Sequence, residues 1–272
     1  MRSAASGTDL VGGYGGNGQI RISYIAFTSA PGTDEQFVCY RDPIINTTYS
    51  FPPHSSVSIV ALPAGLTATP NPTADTLLIF GTPTASGTYT INVTPSYFST
   101  IPLTLTRTGS VTINPKPFIT DITSVICSGN GFTVTPVNGT NGIVPAGTTY
   151  SWNAPTLTGG LTGGGPDVTG ASSISSGILT NTSSTVQTAT YNVTPKTGTC
   201  VGPPFTVTVT VNPTPTLSSA VTATRCSNVS ATYTATSATA NTSFSWTRAA
   251  VAGISNLAAS GSSAAATETL IN

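Results

Sequence analysis

The sequence predicts an all-β protein made of small antiparallel sandwiches in tandem. Three observations carry that expectation. Hydrophobicity alternates with period two, the alternating runs are cut short by Gly, Pro and Asn clusters, and similar stretches recur at a spacing of roughly 90–100 residues.

The alternation is clearest in PFTVTVTVNP, where Phe205, Val207, Val209 and Val211 share one parity and Thr206, Thr208 and Thr210 the other. That is a strand with one face buried and one wet. GTYTINVTP (Tyr89, Ile91, Val93), ATYNVTP (Ala189, Tyr191, Val193) and GFTVTPV (Phe132, Val134) follow the same rule. Proline cannot donate to a sheet ladder, so SVTINPKP at 110–117 and TVTVNPTP at 208–215 read as strands that stop at Asn114 and Asn212, 98 residues apart.

Other marks keep step with those two stops. Cys39, Cys127 and Cys226 sit in FVCY, VICSGN and TRCSNV, 88 and 99 residues apart, and TYSW ending at Trp152 answers SFSW ending at Trp246. A unit of this size suits an immunoglobulin-like sandwich. In each complete unit a Tyr (Tyr89, Tyr191) leads the penultimate strand, two residues before an inward aliphatic (Ile91, Val193), as in a tyrosine corner. Trp152 and Trp246 fall where the third strand places a core Trp, so all four aromatics are expected in cores. The expected organisation is a Gly-rich leader over 1–28, which reads as the end of a preceding domain, then sandwiches over 29–115 and 116–213. An incomplete third sandwich over 214–272 stops before its own Tyr-led and closing strands, as expected of a piece of a longer protein.

Composition narrows the function classes. Of 272 residues only 6% are charged, net charge is zero, and the eight basic residues are scattered singly. No basic stripe is present to meet nucleic acid or an anionic membrane, and no apolar run is long enough to span a bilayer.

The stretch ICSGNGFTVTPV, with TYSW and ISSGILTNTSSTVQTATYNVTPKTGTCVGPPFTVTVTVNPTP, resembles the PKD-like repeat of very large secreted proteins of Bacteroidetes-type bacteria, a class that includes gliding-motility adhesins. The resemblance covers 116–213 and begins again in 214–272. The first unit departs from it, lacking the third-strand Trp. Its ALPAGLTATPNPTADTLLIFGTPTASGTYTINVT is similar to an Ig-like module that is also found in tandem on bacterial surfaces. Both resemblances imply an extracellular stalk or adhesive repeat, without chemistry of its own.

Four cysteines, at 39, 127, 200 and 226, leave only the second unit with two, which makes Cys127 and Cys200 the candidate disulfide. Strand counting opposes the pair. Cys127 would lie at the turn after the first strand and Cys200 at the other end of the sandwich, whereas a bridge needs Cα atoms within about 7 Å. Cys39 is expected as a buried thiol, and Cys226 is expected to find its partner beyond residue 272. Zinc has no support, since no Cys-x-x-Cys pair occurs and His54 is the only histidine.

Candidates for chemistry are few. His54, in FPPHSSVS, reads as a loop residue, and no two carboxylates are spaced to converge on one bond. No cofactor is expected; the one carboxylate cluster, Asp34, Glu35 and Asp42, is the only candidate for a weak calcium site, and a solvated loop is the favoured reading of it. GGYGGNG lacks the Lys-Ser/Thr of a phosphate loop. Seven Asn-x-Ser/Thr triplets (Asn46, Asn92, Asn138, Asn181, Asn192, Asn228, Asn241) arise readily in so Ser/Thr-rich a chain, and DTL at 75–77 makes Thr76 a candidate O-glycosylation site.

The expectation is a non-enzymatic, extracellular structural or adhesive segment, a stalk or filament shaft, whose partners are neighbouring repeats or other copies of itself. A carbohydrate-binding accessory module is the first alternative. It would use Tyr97, Phe98, Tyr40 or Tyr49 as stacking platforms for surface glycans. The second is a self-assembling fibre in which GQIRISYIAF adds as a strand to the open third unit of another copy.

Overall fold

The computed structural model describes residues 10–14, 18–22, 27–96 and 103–272, the first two segments as backbone pairing only. The described residues contain strands and turns and no helix. They divide into two compact units, Met1–Lys116 and Pro117–Asn272.

In the first unit, β1 (Leu10–Tyr14) and β2 (Gly18–Ile22) form an antiparallel ladder, from Leu10 opposite Ile22 to Tyr14 opposite Gly18. Eight more strands follow: β3 (Thr28–Ser29), β4 (Glu35–Cys39), β5 (Thr47–Ser50), β6 (Ser55–Val60), β7 (Leu66–Asn71), β8 (Thr76–Gly81), β9 (Gly87–Pro95) and β10 (Leu105–Asn114). They make two four-stranded sheets, ordered β4-β10-β9-β6 and β3-β5-β8-β7. The period-two pattern of β9 aims Tyr89, Ile91 and Val93 inward, where they meet Tyr49, Leu77 and Ile79 of the other sheet. Each such side chain contributes about 1.5–3 kcal/mol through removal from water. Buried Gln36 pins the loop before β5: its amide donates to the Ile45 carbonyl (2.8 Å) and to Thr47 Oγ1 (2.9 Å) and accepts from Ile45 N–H (2.7 Å). A buried amide so satisfied fixes one loop path without a desolvation penalty.

The second unit opens with β11 (Phe118–Ile119), β12 (Ile122–Cys127), β13 (Thr133–Val134), β14 (Gly142–Ile143), β15 (Thr149–Trp152) and β16 (Thr156–Leu157). It continues through β17 (Leu161–Gly163), β18 (Asp167–Ala171), β19 (Ile174–Ser175), β20 (Leu179–Asn181), β21 (Gln187–Thr197), β22 (Cys200–Val201) and β23 (Phe205–Asn212). The main sheet runs β12-β23-β21-β15-β18, with β16 and β22 also on β21; short pairs β13-β19 and β17-β20 carry the opposing layer. Between them lie Phe132, Trp152, Ile174, Leu179, Tyr191, Val193, Val207 and Val209. β10 and β23 stop at Asn114 and Asn212, where the prolines begin.

Residues 214–272 hold two short ladders: β24 (Ser230–Thr234) on β27 (Ala265–Thr269), and β25 (Trp246–Arg248) on β26 (Ala259–Gly261). Between 214 and 272 no residue is buried. Trp246 is therefore half-buried rather than a core residue, in contrast to Trp152 at 4% exposure, because no second layer covers it. The segment nonetheless repeats contacts of the preceding domain. Gly129 N–H donates to the Leu179 carbonyl (2.9 Å) and Asn228 N–H to the Leu270 carbonyl (2.8 Å). Asn181 N–H donates to Ser128 Oγ and Asn272 N–H to Ser227 Oγ, both at 2.9 Å.

Candidate functional site

In a chain with so little ionisable chemistry, the feature that stands out is how each sandwich joins its first long strand to its last. β4 lies parallel to β10, from Glu35 opposite Ser110 to Cys39 opposite Asn114, and β12 lies parallel to β23, from Ile122 opposite Val207 to Cys127 opposite Asn212. Among the described residues every other strand pair is antiparallel. In a parallel pair made of the first and last strands, the two chain ends leave in opposite directions. Tension along the chain then slides one strand past the other, and the slanted ladder bonds bear it together instead of opening one at a time.

Each pair is fastened beyond its ladder. In the first unit Ser110 N–H donates to the Asp34 carbonyl (2.6 Å) and Tyr40 N–H to the Asn114 carbonyl (2.9 Å). In the second, Ser128 N–H donates to the Asn212 carbonyl (2.8 Å), and at the opposite end Thr206 N–H donates to the Asp121 carboxylate (2.7 Å). That backbone donor holds the Asp121 carboxyl below its usual pKa.

A polar cluster closes one end of the first sandwich. Arg107 on β10 gives Nε to Asp34 Oδ2 (3.0 Å) and Nη1 to the Phe27 carbonyl (2.9 Å), and its guanidinium lies 6.0 Å from the centre of the Tyr49 ring. Ser29 Oγ donates to Asp34 Oδ1 (2.8 Å). The hydroxyls of Tyr49 and Tyr89 bond at 2.9 Å, joining β5 of one sheet to β9 of the other. Burial pushes the Asp34 carboxyl up, but hydrogen bonds from Arg107, Ser29 and Tyr49 outweigh it and hold the group below its usual value. Burial, then the hydrogen bond with the Tyr89 hydroxyl, holds the Tyr49 phenol far above its ordinary pKa.

A carboxyl with a depressed folded-state pKa stabilises above its unfolded pKa of about 3.9 and ceases to do so as pH falls through the folded value. The first sandwich is therefore expected to lose stability as pH drops below about 4, on the order of 1–2 kcal/mol from this group. Urea unfolding at a series of pH values, compared with Asp34→Asn, checks it. The variant should be less stable near neutrality and flatter in acid; a slope unchanged by the substitution would remove Asp34 as the cause.

The structure disposes of several expected sites. Cys127 is an exposed free thiol, so it forms no bridge to Cys200; Cys226 is likewise free and exposed. Cys127 sits beside Asn212 at one end of β23, whereas Cys200 pairs with Thr197 beyond Phe205 at the other end. At about 3.3 Å per residue the length of β23 separates them by roughly 20 Å. The disulfide-bonded cysteines are Cys200 and Cys39, the latter expected as a thiol.

Asp34, Glu35 and Asp42 do not converge. Asp34 and Glu35 lie at the start of β4 and Asp42 past its end, where Lys116 Nζ holds it at 2.9 Å. Among the described residues no group of three His, Cys, Asp or Glu side chains could hold a metal ion.

Tyr89, Tyr191 and Trp152 lie in cores, the Trp152 indole donating to the Gly165 carbonyl (3.0 Å). Neither Tyr makes the backbone bond of a tyrosine corner: Tyr89 bonds Tyr49, and the Tyr191 hydroxyl is buried with no hydrogen-bond partner. Of the proposed stacking platforms, Tyr49 is fully buried and Tyr40 is 45% exposed with Arg41 5.3 Å from its ring centre; Tyr97 and Phe98 lie outside the described residues. Exposed His54 lines a surface cavity of about 480 Å³ with Phe51, Thr73 and Asp75. Thr76 is half-buried at the first position of β8, and Asn181 is buried, its amide donating to the Thr185 and Val211 carbonyls. An amide so engaged is closed to glycosylation.

Residues 124–215 match the family model of the PKD-like domain. A search of curated proteins finds no match. Among solved structures, the chain is similar to mouse cadherin-23 EC22–24 at 10% identity (TM-score 0.36), covering 92% of this chain and 90% of that one. It is also similar to protocadherin gammaB7 EC3–6 at 12% identity (TM-score 0.38; 91% and 69% covered). For the protocadherin GammaB4 extracellular domain the figures are 12% identity, TM-score 0.35 and 70% of this chain, and the present chain spans about a third of that chain's length (34%). Residues 124–215, which hold β23 and the last four residues of β12, are thus similar to the PKD-like domain, within an all-β chain.

Proposed function

We propose that this chain is a non-enzymatic, load-bearing segment of an extracellular bacterial surface protein, a stalk or filament shaft of the gliding-motility adhesin class. The observation that carries the reading is the parallel pairing of the first long strand with the last in both sandwiches, over five and six residue pairs. An array under tension needs units that resist sliding. It needs little surface charge, and this one has 6% charged residues. A fold held by a disulfide suits an oxidising, extracellular setting, and no helix is long and apolar enough to cross a membrane among the described residues.

Single-molecule pulling on the chain with its disulfide reduced, so that tension reaches β10 and β12, tests the reading, with handles at the two ends. Two strong, separate unfolding events are expected, one per sandwich, together with the early yielding of 214–272. Unfolding of both sandwiches at forces no higher than those of an antiparallel hairpin pulled open from its ends would refute a load-bearing role.

A further inference from the structure

The four cysteines divide by state. Cys39 and Cys200 are disulfide-bonded, whereas Cys127 and Cys226 are free and exposed. With no other cysteine in the sequence, one bond joins Cys39 to Cys200 and closes residues 40–199 into a covalent loop. Cys39 is the last residue of β4 and Cys200 the first of β22, so the loop holds β5–β10 of the first sandwich and β11–β21 of the second.

Tension applied at the chain ends follows the shortest covalent path. It runs along β4 to Cys39, crosses the sulfur–sulfur bond to Cys200 and continues through β23. A strand already rises about 3.3 Å per residue against a limit of about 3.6 Å, so β4 and β23 have almost no length to give. Their parallel partners, β10 and β12, lie inside the loop and receive no load. The bond therefore divides both parallel pairs in the same way, with one strand on the load path and one off it.

We propose that the Cys39–Cys200 bond is a redox latch on the extensibility of the chain. Closed, it makes β4, the bond and β23 a short strap that tension cannot lengthen. Opened by a dithiol, it brings β10 and β12 into the path, so that both parallel pairs are loaded in shear and both sandwiches can release their length. The step is thiol–disulfide exchange. Cys39 is half-buried and Cys200 fully buried, so attack falls on the Cys39 sulfur. A thiolate of the dithiol bonds to that sulfur, the Cys39–Cys200 bond breaks, and Cys200 leaves as a thiolate that takes a proton. The second thiolate of the dithiol then displaces Cys39, which takes the other proton; two electrons have passed to the chain and the dithiol has become a disulfide. Cys127 supplies an internal contrast. It ends β12 opposite Asn212 as Cys39 ends β4 opposite Asn114, yet it is free and gates nothing. The latch deepens the load-bearing reading and rests on it for its purpose.

The test is force-clamp extension of the full chain, held at its two ends, with and without dithiothreitol, beside Cys39→Ser and Cys127→Ser. At full extension the untreated chain should stop short of the reduced chain by about 550 Å, the length of residues 40–199 at about 3.5 Å each. It should also show neither sandwich unfolding event. Cys39→Ser should reach the longer length without reductant, and Cys127→Ser should match the unaltered chain in both conditions. Dithiothreitol added under load should convert short molecules to long ones, and faster at higher force, because the bond stands in the load line. An untreated chain that reaches the full length, or a reduced chain that gains none, overturns the latch and leaves the load-bearing reading standing. A latch that holds, with both sandwiches of the reduced chain yielding no harder than an antiparallel hairpin, overturns that reading and not the latch.

Discussion

Gly109→Ala is expected to destabilise the first sandwich by about 3 kcal/mol, far more than one added methyl usually costs. Gly109 on β10 lies directly opposite Tyr89 on β9. A Cβ at Gly109 would stand 2.3 Å from Tyr89 Cζ and 2.4 Å from its hydroxyl oxygen. The ring lies across the glycine and cannot swing away freely, because its hydroxyl is tied to Tyr49 in the opposite sheet and its body is buried. Accommodation must shift a strand or break the bridge between the sheets. For a domain of under 100 residues the loss corresponds to a fall in Tm of about 10–20 °C, read by calorimetry as movement of one of two transitions. Adding Tyr89→Val to Gly109→Ala should recover part of the loss, since the steric cost exists only while the ring is present; the coupling from the double-mutant cycle measures it. A loss below about 1 kcal/mol in the single variant would mean that the ring has room to move, and the account would fail.

Gly109 also marks where reading the sequence runs out. A glycine inside the alternating run TRTGSVT signals a bulge or a close approach without saying what approaches. Tyr89 could be recognised as a core residue from its parity, but its facing Gly109 depends on which strand pairs with β9 and in what register. The same limit explains the cysteines. Alternation identifies β12 and β23 as strands and the prolines mark the end of β23, yet only the parallel pairing places Cys127 beside Asn212 and a strand's length from Cys200. Counting strands already pointed to opposite ends; counting cysteines per repeat did not. Trp246 failed for a different reason. Local pattern predicts burial on the assumption that a second layer exists, and for 214–272 none is described. The Asp34 cluster was read as acidic because its counter-ions come from far along the chain, Arg107 and Lys116, 73 and 74 residues away from their carboxylates.

The parallel pairs should reveal themselves most directly when one is cut. Ser124→Pro and Val125→Pro place proline at successive positions of β12, so that whichever of the two amides bonds to β23, one variant removes a ladder donor and the other does not. The variant that loses the donor is expected to lower the unfolding force of the second sandwich sharply when the chain is pulled with its disulfide reduced, while the first sandwich in the same molecule keeps its own and serves as an internal reference. Its equilibrium stability should fall by about 3 kcal/mol. The force should fall by a larger fraction, because β12 meets its sheet only through β23 and so bears the load at the point where sliding begins. A chemical unfolding curve averages over all the contacts of the domain; tension along the chain selects this one. If both prolines weakened the domain in urea but left its pulling force intact, resistance would have to reside in the antiparallel strands. The first and last strands would then be neighbours by topology alone, with no mechanical part to play.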